Sequence, residues 1–553
     1  MRKILITLIL AGMALASPIQ ISIMDSELTT FTDDFYGLQY HKIAFKDTVA
    51  TNKLEKLNIK WIRQWAYPEQ FHPEPGIWDW SELDDKIGTA RDLGYEIALC
   101  LFQSHDWFAG TPDSGWWYHD TTRAEWPITA RELAARYKND VKIFLMFDEV
   151  NYMHPDQDDY MTFKTCAELY IEAAREIKAV DNTLLCGGPS GHSGWENGHW
   201  GTYVISEPGA DTLLDFIAAN QFITWGDDES DDDVMDHTIW YEEGPTRIRE
   251  KMGADVPDML ILDAYNVNGS WNLDGELWTD PRNTNLFGGI YHAAAKLHAL
   301  KGGYDIALHW DALGGYGVLQ WYPDYNENVP YYSWRYLIET ADMVPGATLI
   351  DAQTSETPKA GILHMSNDHT DCYSVQPFAI KTADDHIRLI LINKYQDAKD
   401  MIIGTPAGMN NYKHFRFDSE RIEYANEMII CGAVEDSLSI TCPGMSVTVI
   451  QYGPEMPIGL SEIDVPSSTR LIGNYPNPFN PRTIVSMECG VRSRSVVNIY
   501  NVQGKLVDRL FDGYVEPGKH NLLWDASNIP SGTYLVQMVA GNVVDVMKIV
   551  LVK

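Results

Sequence analysis

Two carboxylic acids follow a short apolar run in the first third of the chain. The run at 141–147 is followed directly by Asp148 and Glu149, and then by Asn151. A near-continuous apolar run of this length predicts a parallel strand that is buried on both faces. Parallel α/β enzymes place their chemistry at the carboxyl ends of such strands. Apolar surroundings would raise the pKa of a carboxyl group there, as a general acid requires. Alternatively, the two acids only end the strand and cap the next helix.

Strand-like and helix-like runs alternate from Phe35 to about Met343. The eight predicted strands lie at 36–40, 60–64, 96–102, 142–147, 184–188, 214–219, 259–263 and 306–310. Helical patterns between them include 81–93, 128–137, 160–180 and 286–300. Eight strands with helical crossovers predict an α/β fold, a (β/α)8 TIM barrel spanning residues 30–344. An open doubly wound sheet would need a Gly-rich phosphate turn after its first strand, and residues 37–41 do not form one.

The helical period disappears after Pro345, where short alternating runs are split by Gly, Asn and Asp. Residues 345–453 therefore predict a β-sandwich packed beside the barrel. Residues 454–470, with Pro, Ser and acids, predict a linker. Residues 471–553 are again all β and predict a C-terminal immunoglobulin-like β-sandwich.

The composition and the amino terminus indicate an exported protein. The net charge is 42 − 78 = −36, which argues against nucleic acid and anionic membranes as partners. Arg2 and Lys3 precede a short apolar core at 4–10 and a small-residue cleavage site at 14–16. This pattern predicts a signal peptide at 1–16, and hence a secreted or cell-surface location. No later stretch is long and apolar enough to span a bilayer.

Neither the cysteines nor the acidic runs predict a metal or another cofactor. Seven cysteines are scattered without metal-type spacing, although Cys431 and Cys442 could bridge neighbouring strands. The acidic run at 227–233 lacks the Gly-punctuated loop of an EF-hand. A solvated loop is therefore favoured over a calcium site.

The last unit carries a set of short motifs. Residues 474–481 read Asn-Tyr-Pro-Asn-Pro-Phe-Asn-Pro, and residues 497–501 read Val-Asn-Ile-Tyr-Asn. Trp524-Asp525, Ser-Gly-Thr-Tyr at 531–534 and Lys548 follow. These motifs resemble the type A carboxy-terminal sorting domain of type IX secretion. The resemblance implies export by outer-membrane secretion machinery, followed by removal of the tail or anchoring at the cell surface.

A second resemblance covers about residues 35–453. Trp-Ile-Arg at 61–63, Trp-Asp-Trp-Ser at 78–81, Phe-Asp-Glu-Val-Asn at 147–151 and Gly-Gly-Pro at 187–189 carry it. This part resembles the clan A glycoside hydrolases, most closely family 39, whose fourth strand ends in Trp-Asn-Glu-Pro-Asn. The resemblance implies that Glu149 is the general acid/base and that the ligand is a carbohydrate.

Four of the chain's departures from the family pattern bear on its chemistry. Asp148 replaces the asparagine that contacts the sugar's 2-hydroxyl, and Asn220 and Phe222 replace a histidine and a tyrosine on the sixth strand. Ala264 stands where the family keeps its glutamate nucleophile. A retaining glycosidase needs a second carboxyl group about 5–5.5 Å from the first, and an alanine cannot supply it.

Two acids are candidates for the second carboxyl group. Asp263 lies one residue before Ala264, so strand alternation would turn it into the wall unless a bulge re-aims it. Asp311 follows the eighth strand. An inverting mechanism, with carboxyl groups about 6.5–9.5 Å apart, would suit either as general base. For Asp148 two roles stay open: it raises the pKa of Glu149, or it pairs with Arg63.

The predicted site residues fall into two groups. The catalytic candidates are Glu149, Asp263 and Asp311. The substrate-binding candidates are Arg63, Asp148, Asn151, His105, Asn220, Tyr265 and Trp310. Aromatic platforms for sugar rings are expected among the loop tryptophans Trp107, Trp116, Trp117, Trp195, Trp200, Trp225, Trp271 and Trp321, half or more of which could be packing residues. His41, His105 and His309 are expected to be wall residues rather than metal ligands.

Two functional hypotheses follow from these residues. The first is an exported glycoside hydrolase that acts on O-glycosidic bonds of a poly- or oligosaccharide, with Glu149 as general acid/base and an atypical second carboxylate. The second is a surface protein that binds carbohydrate without cleaving it. Glu149 in its apolar frame favours the first, whereas Ala264, Asn220 and Phe222 favour the second. A structural surface protein without a sugar site is a weaker third possibility.

Overall fold

The computed structural model describes most of the chain in thirteen segments. These are residues 17–40, 42–102, 120–148, 163–191, 194–224, 226–270, 272–273, 276–362, 369–454, 469–490, 493–515, 518–541 and 543–553. The predicted signal peptide and most of the predicted linker lie outside the described residues. The chain divides into two compact units, Met1–Glu455 and Met456–Lys553.

Eight parallel strands of the first unit close into a barrel, which confirms the predicted (β/α)8 fold. In chain order, the first to eighth barrel strands are Tyr36–Gln39, Trp61–Ala66, Glu96–Leu101, Ile143–Met146, Leu185–Gly187, Phe216–Thr224, Met259–Asn268 and Ile306–His309. Closure is made by the eighth strand, which pairs with the first and the seventh. All eight lie where the sequence predicts them, although the sixth and seventh extend five residues further.

Side chains of the barrel strands alternate between two apolar layers. One set fills the barrel interior: Trp61, Ala98, Cys100, Ile143, Leu145, Phe216, Ala218, Ile261, Ile306 and Leu308. The intervening residues, such as Ile62, Leu99 and Phe144, pack outward against the helices. Burial on both faces explains why these strands appear in the sequence as near-continuous apolar runs.

Helices connect the strands and cover the barrel. Those of the described chain are Lys42–Lys46, Thr48–Leu54, Pro68–Phe71, Ser81–Asp92, Asp120–Tyr137, Phe163–Val180, Gly194–Ile205, Asp231–Asp236, Trp240–Met252, Leu286–Gly302 and Val329–Glu339. The helix Leu286–Gly302 is almost wholly buried; Asn285 caps its first turn by accepting a hydrogen bond from the Gly288 N–H at 3.3 Å. None of the described helices is long and apolar enough to cross a membrane.

A nine-stranded sheet adjoins the barrel. Its strands are Ile19–Thr30, Thr348–Thr354, Val375–Lys381, Ile387–Asn393, Lys399–Gly404, Asn411–Phe417, Ile430–Ala433, Ser437–Cys442 and Ser446–Gly453. Two short hairpins, Asn272–Leu273 with Glu276–Leu277 and Lys359–Ile362 with His369–Cys372, lie apart from it. Except for Thr30, the strand Ile19–Thr30 lies outside every predicted domain, yet it joins Thr348–Thr354 to Lys399–Gly404.

The two faces of this sheet have different partners. One face encloses an apolar core of its own, to which Ile21, Leu389 and Ile403 from three strands contribute. The other face packs on barrel helices, with Phe378 4.9 Å from His298 and Phe417 5.9 Å from Tyr336 between ring centroids. The sheet thus buttresses the side of the barrel formed by the last two barrel helices.

The described residues of the second unit form a β-sandwich of seven strands, and a β-sandwich is what the sequence predicts here. Three strands, Arg470–Tyr475, Arg482–Cys489 and Gly518–Asp525, form one sheet. Four strands, Ser493–Asn501, Leu506–Val515, Gly532–Ala540 and Val543–Leu551, form the other. Trp524 lies at the centre of their shared core, 5.4 Å from Phe479 and 5.5 Å from Tyr534 between ring centroids.

All seven cysteines are free thiols. Cys431 pairs in register with Lys413, whereas Cys442 pairs with Lys399 on a different strand. The suggested bridge between Cys431 and Cys442 is therefore absent from the structure, because their strands are not neighbours.

Candidate active site at the carboxyl end of the barrel

The second barrel strand carries an arginine into the barrel interior. Strand alternation places Trp61, Arg63 and Trp65 on the inner face, at successive heights toward the carboxyl end. The Arg63 side chain is 0% exposed. A buried guanidinium requires anionic partners, because its desolvation is otherwise prohibitive.

Two carboxylates pair with Arg63. Its Nη2 lies 3.0 Å from Asp148 Oδ1, and its Nε lies 2.8 Å from Asp263 Oδ2. Gln39 completes the group, since its Nε2 donates to the Asp263 carbonyl at 2.7 Å and its Oε1 accepts from Arg63 Nη1 at 3.5 Å. Of the two roles considered for Asp148, the structure contains the ion pair with Arg63.

A local distortion aims Asp148 into the barrel mouth. Phe147 has a φ of 70°, a left-handed conformation that is rare for a bulky residue, and its ring stacks on Trp126 outside the barrel. Asp148 then accepts hydrogen bonds from Asn220 Nδ2 at 3.0 Å and from Trp65 Nε1 at 3.2 Å. Ser190 in turn donates to Asn220 Oδ1. These contacts hold the Asp148 carboxylate at the rim, where its side chain is 13% exposed.

Burial and neighbouring charges shift the pKa values of Arg63 and Asp263. Burial alone would lower the pKa of Arg63, but the charges of Asp148 and Asp263 raise it overall. Burial raises the pKa of Asp263 to about 6 against the lowering effect of Arg63. Among the described residues, Arg63 is thus the one cation between the carboxyl groups of Asp148 and Asp263.

A bulge in the seventh barrel strand decides which residues face the mouth. Ala219 pairs with Leu262 and Asn220 pairs with Ala264, so Asp263 is the extra residue between them. Asp263 points at Arg63 and is 0% exposed. Ala264 shares its register and therefore its side of the sheet with Asn220. The structure argues against the predicted catalytic role of Asp263, because its carboxylate lies beneath the rim in a buried ion pair with Arg63.

Aromatic side chains form part of the wall of the mouth. Trp65 and Trp310 meet edge to face with ring centroids 5.3 Å apart, and Phe222 lies 6.3 Å from Trp310. Trp65 and Trp310 are only partly buried. Flat amphipathic rings next to a fixed carboxylate are suited to sugar rings.

Asp311 directly follows Trp310 at the end of the eighth barrel strand. Its backbone N–H donates to the Tyr316 carbonyl at 3.0 Å, and its carboxyl group accepts from the Ala312 N–H. Burial raises the pKa of Asp311 to about 7, against the lowering effect of the Ala312 hydrogen bond. A carboxyl group with such a pKa can exchange protons near neutral pH.

Several predicted residues do not contribute to the described mouth. Glu149, Asn151 and His105 lie outside the described residues, as do His41, Trp107, Trp116, Trp117, Trp225 and Trp271. Tyr265, predicted to bind substrate, instead packs between the barrel and its helices, 5.6 Å from His309. The reason is the bulge at Asp263, after which Ala264 faces inward and Tyr265 outward.

Two further predicted aromatics are accounted for differently. Trp200 is a packing residue whose Nε1 lies 2.9 Å from Cys166 Sγ. Trp321 is exposed on the loop after the eighth strand. No group of three or more potential metal ligands occurs among the described residues.

Sequence reasoning missed three residues of the site. Gln39, Trp65 and Ser190 each contact Arg63, Asp148 or Asn220. The sequence could have indicated Trp65, because it stands two residues after Arg63 on a strand and so lies on the same face. Gln39 and Ser190 had none beyond their position at the ends of predicted strands.

The comparisons with known proteins divide along the two units. Residues 474–553 match the family model of the secretion system C-terminal sorting domain, which confirms the predicted sorting domain. No curated protein sequence matches the chain significantly.

The first unit resembles solved structures of low sequence identity. An alpha-L-arabinofuranosidase from Thermotoga maritima gives a TM-score of 0.55 at 13% identity, covering 78% of this chain and 99% of that one. A monomeric beta-xylosidase from Caulobacter crescentus gives 0.54 at 15%, covering 79% and 100%. A GH30 endoxylanase from Clostridium papyrosolvens gives 0.52 at 11%, covering 79% and 100%. These similarities establish the fold.

Proposed function

We propose that the protein is an exported glycoside hydrolase of clan A, resembling family 39, that acts on O-glycosidic bonds of a poly- or oligosaccharide, with Glu149 as general acid/base. The observation that carries the proposal is the fixed Asp148 carboxylate at the rim. Arg63, Asn220 and Trp65 hold it there, and Glu149 is the next residue. The barrel shared with an arabinofuranosidase, a xylosidase and an endoxylanase supports the same class of reaction.

The second carboxyl group in this proposal is Asp311. Asp263 is committed to Arg63, and Ala264 has no carboxyl group. Asp311 follows the eighth strand, which pairs with the seventh strand that carries Ala264, and burial raises its pKa to about 7. A general base that activates water from a distance of about 6.5–9.5 Å would give inversion at the anomeric carbon.

Binding without cleavage is the second candidate function. The observation in its favour is Ala264, whose side chain faces the mouth beside Asn220 where family 39 has its nucleophile. A barrel mouth with Trp65, Trp310 and Asp148 could still hold a sugar.

Glu149→Gln tests the catalytic proposal on arabinoxylan and on aryl glycosides with good leaving groups. The amide cannot donate a proton, so turnover of arabinoxylan should fall by roughly 10²–10⁴-fold. Turnover of the activated aryl glycosides should fall less, because their leaving groups need little assistance from a general acid. NMR of the first-formed product gives the stereochemistry, with inversion expected.

Glu423→Gln is the matched control, because it makes the same substitution at an exposed residue after the side-sheet strand Asn411–Phe417. Unchanged turnover in Glu149→Gln would overturn the hydrolase proposal. Absence of wild-type turnover, together with calorimetric binding of the same glycans, would support the second candidate function.

The C-terminal unit supports the export part of the proposal. We propose that it is a type A domain that carries the protein across the outer membrane through the type IX machinery, to the medium or the cell surface. The match to the sorting-domain model over residues 474–553 is the supporting observation.

A further inference from the structure

A buried asparagine on the seventh barrel strand ties that strand to the backbone of Trp310 and Asp311. Asn266 is 0% exposed, and its Nδ2 donates to the Trp310 carbonyl and, at 2.9 Å, to the Tyr316 carbonyl. Its Oδ1 accepts from the Val267 N–H at 2.8 Å. Carbonyl oxygens only accept hydrogen bonds and a backbone N–H only donates one, so these partners fix the orientation of the side-chain amide.

A histidine on the following helix makes a further hydrogen bond to this asparagine. His292 lies in the helix Leu286–Gly302 and is 0% exposed, with its Nε2 3.1 Å from Asn266 Oδ1. Since Oδ1 only accepts, His292 Nε2 donates the proton of this hydrogen bond. Burial, together with the neighbouring His309 and Lys296, holds the pKa of His292 well below its usual range. The imidazole is therefore neutral near pH 7, with its proton on Nε2.

The two carbonyls that Asn266 binds belong to the backbone around the proposed general base. The Trp310 carbonyl is part of the peptide group that continues into the Asp311 nitrogen, and the atoms of a peptide group are coplanar. That nitrogen donates to the Tyr316 carbonyl at 3.0 Å, the second acceptor of Asn266. The asparagine amide thus closes a ring of hydrogen bonds with this peptide group and the Tyr316 carbonyl. The ring fixes the point from which the Asp311 side chain starts.

The Asn266 side chain acts where backbone pairing between the two strands ends. The ladder between the seventh and eighth strands ends at the pair Tyr265 and His309, and the Trp310 N–H donates to the Tyr265 carbonyl at 3.2 Å. The next link, to the Trp310 carbonyl, is made by the amide of Asn266 instead of by backbone. The barrel is therefore closed before this contact is made, and the contact adds a fixed position for the residues just beyond the strand.

The same contact holds an aromatic ring in the wall of the mouth. Trp310 is bound to the seventh strand through both its N–H and its carbonyl. Its ring centroid lies 5.3 Å from that of Trp65 and 6.3 Å from that of Phe222. A shift of this backbone would therefore move the Trp310 ring and the Asp311 carboxyl group together.

We propose that Asn266 and His292 are positioning residues that hold the backbone of 310–311, so that the Asp311 carboxyl group and the Trp310 ring keep fixed places in the mouth. Both are fully buried, so they act through Trp310 and Asp311 rather than on a substrate. The inference rests on the proposed function and deepens it, because it assigns the placement of the second carboxyl group to a buried amide and imidazole.

Asn266→Leu in the full chain tests the proposal. Leucine has nearly the same shape but donates no hydrogen bond, so kcat on arabinoxylan should fall by about 10²-fold, the loss that a displacement of about 1 Å causes. Calorimetric affinity for xylohexaose should fall less, by about threefold, through the displaced Trp310 ring. Combined with Asp311→Asn, the same change should lower kcat little further, because the group that Asn266 positions is already gone.

A pair of variants at His292 tests the second residue while the donors of Asn266 stay in place. His292→Leu removes the hydrogen bond to Oδ1 and should lower kcat by about tenfold, the factor that one hydrogen bond supplies. His292→Gln should recover most of this loss, because the amide nitrogen of glutamine can donate from about the same place as Nε2. This pair decides the proposal even if Asn266→Leu does not fold.

Asn393→Leu is the matched control. Asn393 is also 0% exposed, its Nδ2 donates to the carbonyls of Asp397 and Cys442, and its Oδ1 accepts from the Tyr395 N–H. It belongs to the nine-stranded sheet. The control should thus lower the thermal transition much as Asn266→Leu does and leave kcat within about twofold of wild type.

Three results would overturn the proposal. They are a wild-type kcat in Asn266→Leu, an equal loss of kcat in His292→Gln and His292→Leu, and a full further loss of kcat when Asn266→Leu is added to Asp311→Asn. If wild type binds xylohexaose without cleaving arabinoxylan, the hydrolase proposal fails. The loss of affinity in Asn266→Leu would then still support the positioning of Trp310, and an unchanged affinity would overturn it. If wild type neither binds nor cleaves these glycans, both proposals fail.

Discussion

Replacing the buried Lys296 should change the free energy of unfolding by an amount that can be worked out from the structure. It lies within the helix Leu286–Gly302 and is 1% exposed. Its Nζ is 4.1 Å from the ring centroid of Trp334 and 5.4 Å from that of Tyr265. It has no hydrogen-bond partner within the described residues. An ammonium group in such a place loses its hydration without gaining a counter-ion.

The structure sets the magnitude of this cost. Burial lowers the pKa of Lys296 from 10.5 to about 7. Each tenfold change in proton affinity is worth about 1.4 kcal/mol, so the fully charged amine costs the folded state about 5 kcal/mol. A desolvated cation–π contact returns about 2 kcal/mol. Desolvation therefore dominates, and Lys296→Met should stabilise the protein at pH 7.

The dependence on pH follows from the direction of the shift. Between pH 7 and pH 10.5 the unfolded chain holds a proton on Lys296 that the folded chain has lost. Stability therefore rises with pH in this window, by about 2 kcal/mol from pH 7 to pH 9. Methionine does not titrate and fills a similar volume against the aromatic rings. The stability difference between Lys296→Met and wild type should thus shrink by about 2 kcal/mol over that range.

Scanning calorimetry of the full chain at pH 7 and pH 9 measures this difference. Lys251→Met, at an exposed lysine near the end of the helix Trp240–Met252, is the control and should show no such change. The reasoning is refuted if Lys296→Met is less stable than wild type at pH 7. It is equally refuted if the difference between the two proteins is the same at both pH values.

Three further predictions concern the mouth and the tail. If Asp311 is the general base, a pH–rate profile should show kcat/KM rising through about pH 7, where its carboxyl group ionises. Asp311→Asn should remove this rise and lower kcat/KM by roughly 10²–10⁴-fold. Ala264→Glu should lower turnover if the wild type inverts, because the new carboxylate displaces the attacking water. A switch to retention in the NMR product assay would instead indicate that the pocket kept a retaining geometry. Deletion of 456–553 should leave the thermal transition of the first unit intact and abolish secretion; an unfolded first unit or undiminished secretion contradicts this.

The fold was largely predictable because its signals are local. Each barrel strand is an apolar run bounded by a helical pattern, so all eight could be found without knowing their partners. The strand Ile19–Thr30 was missed although Ile19, Ile21 and Ile23 alternate. Its partner, Thr348–Thr354, lies more than 300 residues away, and no local pattern reports such a pairing.

The site was predictable in its residue types but not in its geometry. Arg63 and Asp148 stand at predicted strand ends, yet nothing in the sequence chooses between an ion pair and separate roles. The bulge at Asp263 is a shift of one residue in pairing register, and it exchanges the faces of every later residue on that strand. That single shift explains why Ala264 faces the mouth and Tyr265 faces the helices. Asp263, by contrast, meets Arg63 by simple alternation from the inward-facing Ile261.

If the mouth binds a glycan, as we propose, the charges of the site should favour some glycans over others. Arg63 pairs with both Asp148 and Asp263, so its guanidinium N–H groups are not free to bind a carboxylate on a substrate. Two carboxyl groups surround this one cation, and the whole chain carries a net charge of −36. A glycan rich in uronic acids would therefore enter the mouth against a repulsive potential, whereas a neutral chain would not. Because Trp65 and Trp310 offer apolar contact instead of charge, the proposed function predicts that calorimetry will find tighter binding of neutral polysaccharides than of uronic-acid chains.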